Sequence, residues 1–262
     1  MANTQSTLLT EIVDDHIFVL TLNSPSNRNS LQAPGLRDSL IQALDQLDSD
    51  PNLRVAIITG TGSSFCSGGD LNQLVNNDQT QTRLSMQANA WLYRRIALSD
   101  KLIIAGVNGH AYGAGLGLAL LCDWVACSPT ATFCSAFTRV GAMPDAGLFW
   151  SLPQRIGVPQ ARRLMLTGEA IDAHEAIRIG LADECLESTN TLAETLTIAK
   201  RFAHGPTRAY SRIKAGLRQV PMSLEQALAF QLDNAPALFR SNDFLEGAQA
   251  FFDKRQPNFT GT

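Results

Sequence analysis

The chain has 262 residues, 45% of them hydrophobic and 17% charged, which fits a soluble globular protein with a substantial core. Its net charge of −3 provides no basic field for nucleic acid or an anionic membrane surface. The five cysteines, Cys66, Cys122, Cys127, Cys134 and Cys185, are odd in number and contain no C-x-x-C pair, which argues against a disulfide framework or a metal-binding ribbon.

From the N-terminus, residues 1–15 carry neither a basic segment nor an apolar core of signal-peptide type, so a reduced, cytoplasmic protein is expected. Residues 7–23 read as a hairpin around Asp14-Asp15, with Ile17–Leu22 the stronger strand. Residues 24–30 are a loop by composition, and 34–49 a helix with Leu36, Leu40, Ile41, Leu44 and Leu47 at helical spacing. Residues 54–60 form a buried strand, followed by a glycine-rich turn (62–71), a polar segment (75–81) and a helix (82–98). Residues 102–107 form a third strand, and 123–127 and 131–134 two shorter ones. Helices are expected at 147–156, 159–167, 173–179, 191–203, 206–219, 223–239 and 242–254. The apolar run at 111–122 is too short and too rich in glycine to span a bilayer.

The stretch from Asn108 to Asp123 is the most informative. Gly109, Gly113, Gly115 and Gly117 are costly in any regular element and make sense where backbone must approach something closely. A strand that feeds a helix through such a turn presents free N–H groups and the positive end of the helix dipole at one point. The turn at 62–71 repeats the pattern about 45 residues earlier. The pair can direct two backbone N–H groups at one oxygen, an oxyanion hole. Neither turn is a nucleotide fingerprint: G-x-G-x-x-G, G-x-x-x-x-G-K-[ST] and G-x-S-x-G are all absent.

Four segments together resemble the crotonase (enoyl-CoA hydratase/isomerase) superfamily. Phe65-Cys66-Ser67-Gly68-Gly69-Asp70-Leu71 looks like its first signature, and Asn108 through Gly113-Ala114-Gly115 to Asp123 like its second. Pro25 through Arg28-Asn29-Ser30-Leu31 resembles its CoA loop, and Phe251 to Phe259 its C-terminal tail. The resemblance implies an α/β fold: a crotonase-like spiral of ββα repeats with a helical C-terminal trimerisation region. The expected division is a core with the acyl-CoA site at 1–200 and a helical region at 201–262, assembled as a homotrimer or dimer of trimers. It further implies an acyl-CoA thioester held at the N–H groups of Gly69 and Ala114, with CoA as part of the substrate and no other cofactor or metal. Ser67, Gly68, Asp70, Leu71, Gly113 and Phe137 would line the substrate site. Arg28 and Lys254 would approach CoA phosphates, and Phe251 the adenine.

Individual positions separate the chemistries found in the family. Its hydratases use two glutamates, at positions where this chain has Gly117 and Phe137. Asp145 instead matches the acid/base carboxylate of many of its isomerases. An N-cap on the following helix is the structural alternative for that residue. Burial among Phe137, Met143, Leu148, Phe149 and Trp150 would raise its pKa toward that of a useful base. The reading that follows is a 3-enoyl-CoA to 2-enoyl-CoA isomerase with one carboxylate moving the proton. The alternatives are a hydratase with an atypical carboxylate, an aryl-CoA dehalogenase and a non-catalytic acyl-CoA-binding protein. The dehalogenase chemistry calls for a histidine before Leu102, and none lies between His16 and His110. His110 and Cys66 read as bystanders, the latter as a small packing residue.

Overall fold

Continuous apolar runs in a few strands set the architecture. A computed structural model describes residues 6–262. Residues 1–5, the start of the segment without a leader pattern, lie outside the described residues. β1 (Leu8–Val13) and β2 (Ile17–Leu22) form the expected hairpin, with Asp14 and Asp15 both at positive φ as a tight hairpin turn requires. α1 (Leu36–Ser49) follows, and Pro34 precedes the helix because Gly35 occupies its N-cap. The chain then repeats one unit three times: long strand, short strand, helix. The first is β3 (Val55–Gly60), β4 (Ser64–Cys66), α2 (Leu71–Asn76) and α3 (Gln79–Leu98). The second is β5 (Leu102–Val107), β6 (His110–Tyr112) and α4 (Ala114–Leu121). The third is β7 (Trp124–Cys127), β8 (Thr132–Cys134) and α5 (Leu148–Thr167). β9 (Ala170–Asp172), α6 (Ala173–Arg178), β10 (Glu184–Cys185) and α7 (Thr191–Ala203) complete the core.

The long strands form one sheet in the order β1-β2-β3-β5-β7-β10, parallel from β2 onward, and the short ones a second, β4-β6-β8-β9. This is the ββα spiral. The inner strands β2, β3, β5 and β7 are buried on both faces, as parallel strands normally are, while the edge strand β1 is largely exposed. Phe18, Leu20, Ala56, Ile58, Ile103 and Ala105 point into the core between the sheets. Their neighbours Ile17, Val19, Val55, Ile57 and Ile104 point the other way, against Ile198, Ala199 and Ala203 of α7. Because α7 covers the sheet to its end, the core runs past the expected boundary at 200, and the helical region opens with α8 (Thr207–Leu217).

α9 (Leu224–Leu238) and α10 (Asn242–Asp253) follow. α9 buries no residue within the chain. The C-terminal tail is fixed by polar contacts instead. The buried Asp243 carboxylate accepts the N–H groups of Thr260 and Gly261, and Arg54 donates to the carbonyls of Ala203 and Thr260.

Three expectations change locally. α3 begins at Gln79 rather than near 82, because Asp78 and Gln81 form a capping box. The polar segment at 75–81 holds the end of α2, whose N-cap is Asp70. The helices expected at 147–156 and 159–167 both form and follow one another within α5 across a break at Gly157, with φ 72° and ψ 160°, without an intervening loop.

Candidate active site

The two glycine turns meet backbone to backbone at the start of α4. A Cβ on Gly68 would lie 2.7 Å from the Ala114 nitrogen, and one on Gly115 only 2.1 Å from the Cys66 carbonyl oxygen. Both positions therefore exclude every side chain, and it is this exclusion that lets the turns close. Gly113 caps α4 at φ 54°, ψ −124°, a conformation open to glycine alone, and its N–H is tied to the Cys134 carbonyl at 2.9 Å. The N–H groups of Gly69 and Ala114 have no hydrogen-bond partner among the described residues. They flank one seam, at the positive end of a helix, where an oxyanion is favoured.

The loop carrying Arg28 is stitched to the first turn. Ser67 N–H donates to the Arg28 carbonyl at 2.9 Å, Ser67 Oγ to Asn27, and Ser30 Oγ and Leu31 N–H both to the Gly68 carbonyl. Asn29, fully buried, holds the base of the loop by donating to Thr61 and Ser64 and accepting from Ser24. Within the polar run Ser24–Ser30 nothing in the sequence sets it apart from Asn27 for that role. Arg28 itself, at φ 51°, keeps an exposed side chain. Asp70 is occupied twice: its side chain accepts from Asn72, and its N–H donates to Gln32. It shapes the turn, and the exposed Leu71 opens α2 beside it.

Phe137 lies on a short 3-10 turn (Ala136–Val140), half-buried, its ring edge 3.9 Å from where a Gly113 Cβ would stand. Asp145 follows on the loop before α5. It does not cap that helix: Gly147 is the N-cap, and only the Asp145 backbone carbonyl is engaged, by Leu148. One carboxylate oxygen of Asp145 is buried with no hydrogen-bond partner, and loss of water raises the pKa of the group. The residues that surround it differ from expectation. Leu148 is buried and Phe137 half-buried, but Met143, Phe149 and Trp150 point outward, because the αL residues Ala146 and Gly147 turn the chain between them.

Tyr93, on α3, is absent from the sequence reading. It is half-buried and packs against the main hydrophobic core. Its pKa is pushed up first by burial and then by the Asp145 carboxylate. In sequence it is one more aromatic on a helix, and no motif marks it. Cys66 accepts from the Gly68 N–H, and burial lifts its thiol to about 12, which suits a packing residue. His110 is exposed and bonded to Thr132 Oγ1 at 2.7 Å.

The structure thus brings the Arg28 loop, Ser67 and Gly68 against one another and Gly68 against Ala114, sets Phe137 beside Gly113, and packs the loop that carries Asp145 on α4 through Ala146 and Gly117, while Gly69, Asp70 and Leu71 follow directly on the first turn. Phe251 and Lys254 remain apart on the exposed end of α10, with no hydrogen bond or ion pair to the others. Among the described residues no group of three His, Cys, Asp or Glu side chains stands ready to hold a metal ion, and no helix is long and apolar enough to cross a membrane.

Known proteins share this arrangement. The family model for enoyl-CoA hydratase/isomerase matches residues 13–262. The chain is 36% identical over 253 residues to a probable enoyl-CoA hydratase of Rhodobacter capsulatus, covering 95% of this chain and 96% of that protein. It is 35% identical over 256 residues to the 1,2-epoxyphenylacetyl-CoA isomerase of Escherichia coli, covering 95% and 97%. The crystal structure of an enoyl-CoA hydratase from Bacillus anthracis superposes with a TM-score of 0.92 at 28% identity, covering 98% of this chain and 100% of that one. With paired glycine turns, a ββα spiral and a match along nearly its whole length, this chain belongs to the enoyl-CoA hydratase/isomerase family.

Proposed function

We propose that the protein is a 3-enoyl-CoA to 2-enoyl-CoA isomerase in which Asp145 is the acid/base. The observation that carries this reading is a carboxylate oxygen of Asp145 buried without a hydrogen-bond partner, on a loop that packs on α4 through Ala146, while Gly117 and Phe137 occupy the two positions where a hydrating pair would stand. The thioester oxygen accepts from the N–H groups of Gly69 and Ala114. Asp145 takes a proton from C2, and the electron pair of that C–H bond becomes a dienolate whose charge rests on the held oxygen. The protonated Asp145 then delivers the proton to C4, and the double bond moves from C3–C4 to C2–C3. One carboxylate suffices because the proton leaves and returns on one face. An oxyanion donor of this kind contributes ~3–4 kcal/mol to the transition state.

Ser67, Gly68, Asp70, Leu71, Gly113 and Phe137 shape the substrate site in this reading, and Arg28 and Lys254 neutralise CoA phosphates. Lys254 and Phe251, on an exposed helix end, serve when copies of the chain assemble. A homotrimer or dimer of trimers belongs to the proposal, supported by the apolar residues that α8, α9 and α10 leave uncovered, among them Leu217, Leu228, Leu232 and Phe252. CoA enters as part of the substrate, with no further cofactor, and the five free cysteines accord with a cytoplasmic setting.

Incubation with a 3-enoyl-CoA, following absorbance of the conjugated 2-enoyl thioester, tests the reading. Turnover by the wild type and its loss in Asp145→Asn are expected. The second reading, hydration through Asp145, rests on the name of the Rhodobacter relative. Robust water addition to crotonyl-CoA without 3-enoyl turnover would establish it in place of the first.

A further inference from the structure

Gly68 and Gly69 stand side by side in the first turn, but close packing fixes only one of them. Gly68 sits at φ 85° against the Ala114 nitrogen. A Cβ on Gly69 would meet only Leu74 Cδ1, at 3.5 Å, an ordinary contact, and its φ lies outside the left-handed region. A glycine with open space around it has loose torsions. The direction of its N–H, one of the two proposed oxyanion donors, must therefore be held by bonds to its neighbours.

Both peptide groups that flank Gly69 are held, and by one short segment that follows Arg28 in the chain. A peptide group is planar and trans, so its C=O and N–H point in opposite directions, and whatever fixes the Gly68 carbonyl fixes the Gly69 N–H. That carbonyl accepts Ser30 Oγ–H and Leu31 N–H, both at 2.9 Å. Ser30 is buried, and its oxygen accepts the Gln32 N–H at 3.3 Å, which leaves its one proton for Gly68. On the far side of Gly69, the Asp70 N–H donates to Gln32 Oε1 and pins the Gly69–Asp70 peptide. Two donors on one carbonyl also polarise its peptide and strengthen the N–H at the other end. The Leu31 N–H would be present whatever the side chain there. The Ser30 hydroxyl and the Gln32 amide are what this sequence adds.

We propose that Ser30 and Gln32 are positioning residues for the reaction. Each acts through a peptide group that flanks Gly69, and together they aim the Gly69 N–H at the thioester oxygen. The loop that carries Arg28 is thereby coupled to the oxyanion site. This rests on the oxyanion reading of the two turns and deepens it.

The test is an absorption titration of the full chain with 4-(dimethylamino)cinnamoyl-CoA, whose conjugated band moves to the red when its thioester oxygen accepts hydrogen bonds. Wild type is expected to bind the probe with a red shift. Ser30→Ala and Gln32→Ala are each expected to give a smaller shift at an affinity within about threefold of wild type. Gln32 bonds on the exposed side of the turn, so Gln32→Ala is expected to keep the wild-type thermal midpoint and decides the matter if Ser30→Ala folds poorly. Turnover of a 3-enoyl-CoA should fall roughly three- to tenfold in kcat with KM nearly unchanged, as loss of a contact made in the transition state requires. A full red shift in either variant overturns the proposal and leaves the oxyanion reading standing. A raised KM at unchanged kcat also overturns it, since the two side chains would then serve ground-state binding. Tight binding to wild type with no red shift overturns both the inference and the oxyanion reading beneath it.

Discussion

A Cβ on Gly117 would lie 2.5 Å from the Cβ of Ala146 and 2.6 Å from its carbonyl oxygen. The helix position where the family's hydratases carry a glutamate is thus filled by the backbone that delivers Asp145. Ala146 itself sits at φ 49°, so the segment is held in a left-handed turn to fit against α4.

Gly117→Glu is accordingly expected to install no hydratase. The side chain can enter only by displacing the 145–147 segment. Overpacking together with a buried charge is expected to cost ~3 kcal/mol or more in denaturant unfolding. Loss of 3-enoyl turnover should accompany it. Crotonyl-CoA hydration by a stably folded Gly117→Glu protein would refute this account.

Asp145→Asn separates activity from stability. Removing an acid/base group of this type lowers turnover by ~10²–10⁴-fold. The same change should make the protein more stable at neutral pH, because burial raises the pKa of Asp145 without a compensating partner. The sign follows from proton binding. Between the unfolded and the raised folded pKa the native state holds more protons, so stability falls as pH rises through that window. At neutral pH the wild type carries the full cost of a buried charge and the asparagine variant does not. Activity runs the opposite way and should decline as pH falls through the raised pKa. A less stable Asp145→Asn protein at pH 7 would contradict the assignment.

Ala114 is the first residue of α4, a position where proline is tolerated because its N–H has no helical partner. Ala114→Pro removes the proposed donor and adds ring carbon at the seam while the helix can still form. Turnover is expected to fall by ~10²–10³-fold or more, with circular dichroism unchanged. Ala114→Gly keeps the N–H and should retain activity within a few fold. Equal activity in both variants would remove Ala114 from the oxyanion hole.

What the sequence made legible was decided by range. β2, β3 and β5 are continuous apolar runs buried on both faces, and the glycine turns announce themselves by composition. β9 and β10 escaped because strands of three and two residues have no periodicity of their own, being defined by β8 and β7 as pairing partners. The register of β10 also sets Cys185 directly beside Cys127, a proximity invisible in residues 58 positions apart. At the site, Asp145, Gly69 and Ala114 could be named because they sit in recognisable local patterns. Tyr93 could not, since its nearness to the Asp145 charge comes from the packing of α3 and not from any local pattern. The outward turn of Met143, Phe149 and Trp150 depends on positive φ at an alanine, which no sequence rule anticipates.

Thiol chemistry gives an independent check on the core. Cys66, Cys122, Cys127 and Cys134 are buried and only Cys185 is exposed. Burial pushes the thiols of Cys66, Cys122 and Cys127 up to about 12, so none ionises near neutrality. Native protein should therefore react rapidly with one equivalent of a thiol reagent, and Cys185→Ser should abolish that phase. Two or more rapid equivalents would mean that the spiral opens more readily than its packing implies.

Assembly can be tested on α9. Leu224, Leu228 and Leu232 recur every fourth residue and are 68%, 48% and 75% exposed, an apolar stripe on a helix with no fully buried residue in its own chain. Covering such residues is favourable at ~25 cal/mol per Å² of apolar surface, and leaving them in water invites aggregation. In the proposed assembly these leucines would lie against a neighbouring copy, so a charge among them should act on association rather than on the fold. Light scattering is expected to give wild type a mass that is a multiple of the 28.4 kDa chain. Leu228→Glu should shift the mass toward a single chain, with secondary structure retained because the core lies elsewhere. Turnover should fall in parallel if Phe251 and Lys254 serve the site only in the assembly. A wild type that is monomeric and active would separate the site from assembly altogether, and would leave the stripe on α9 without that explanation.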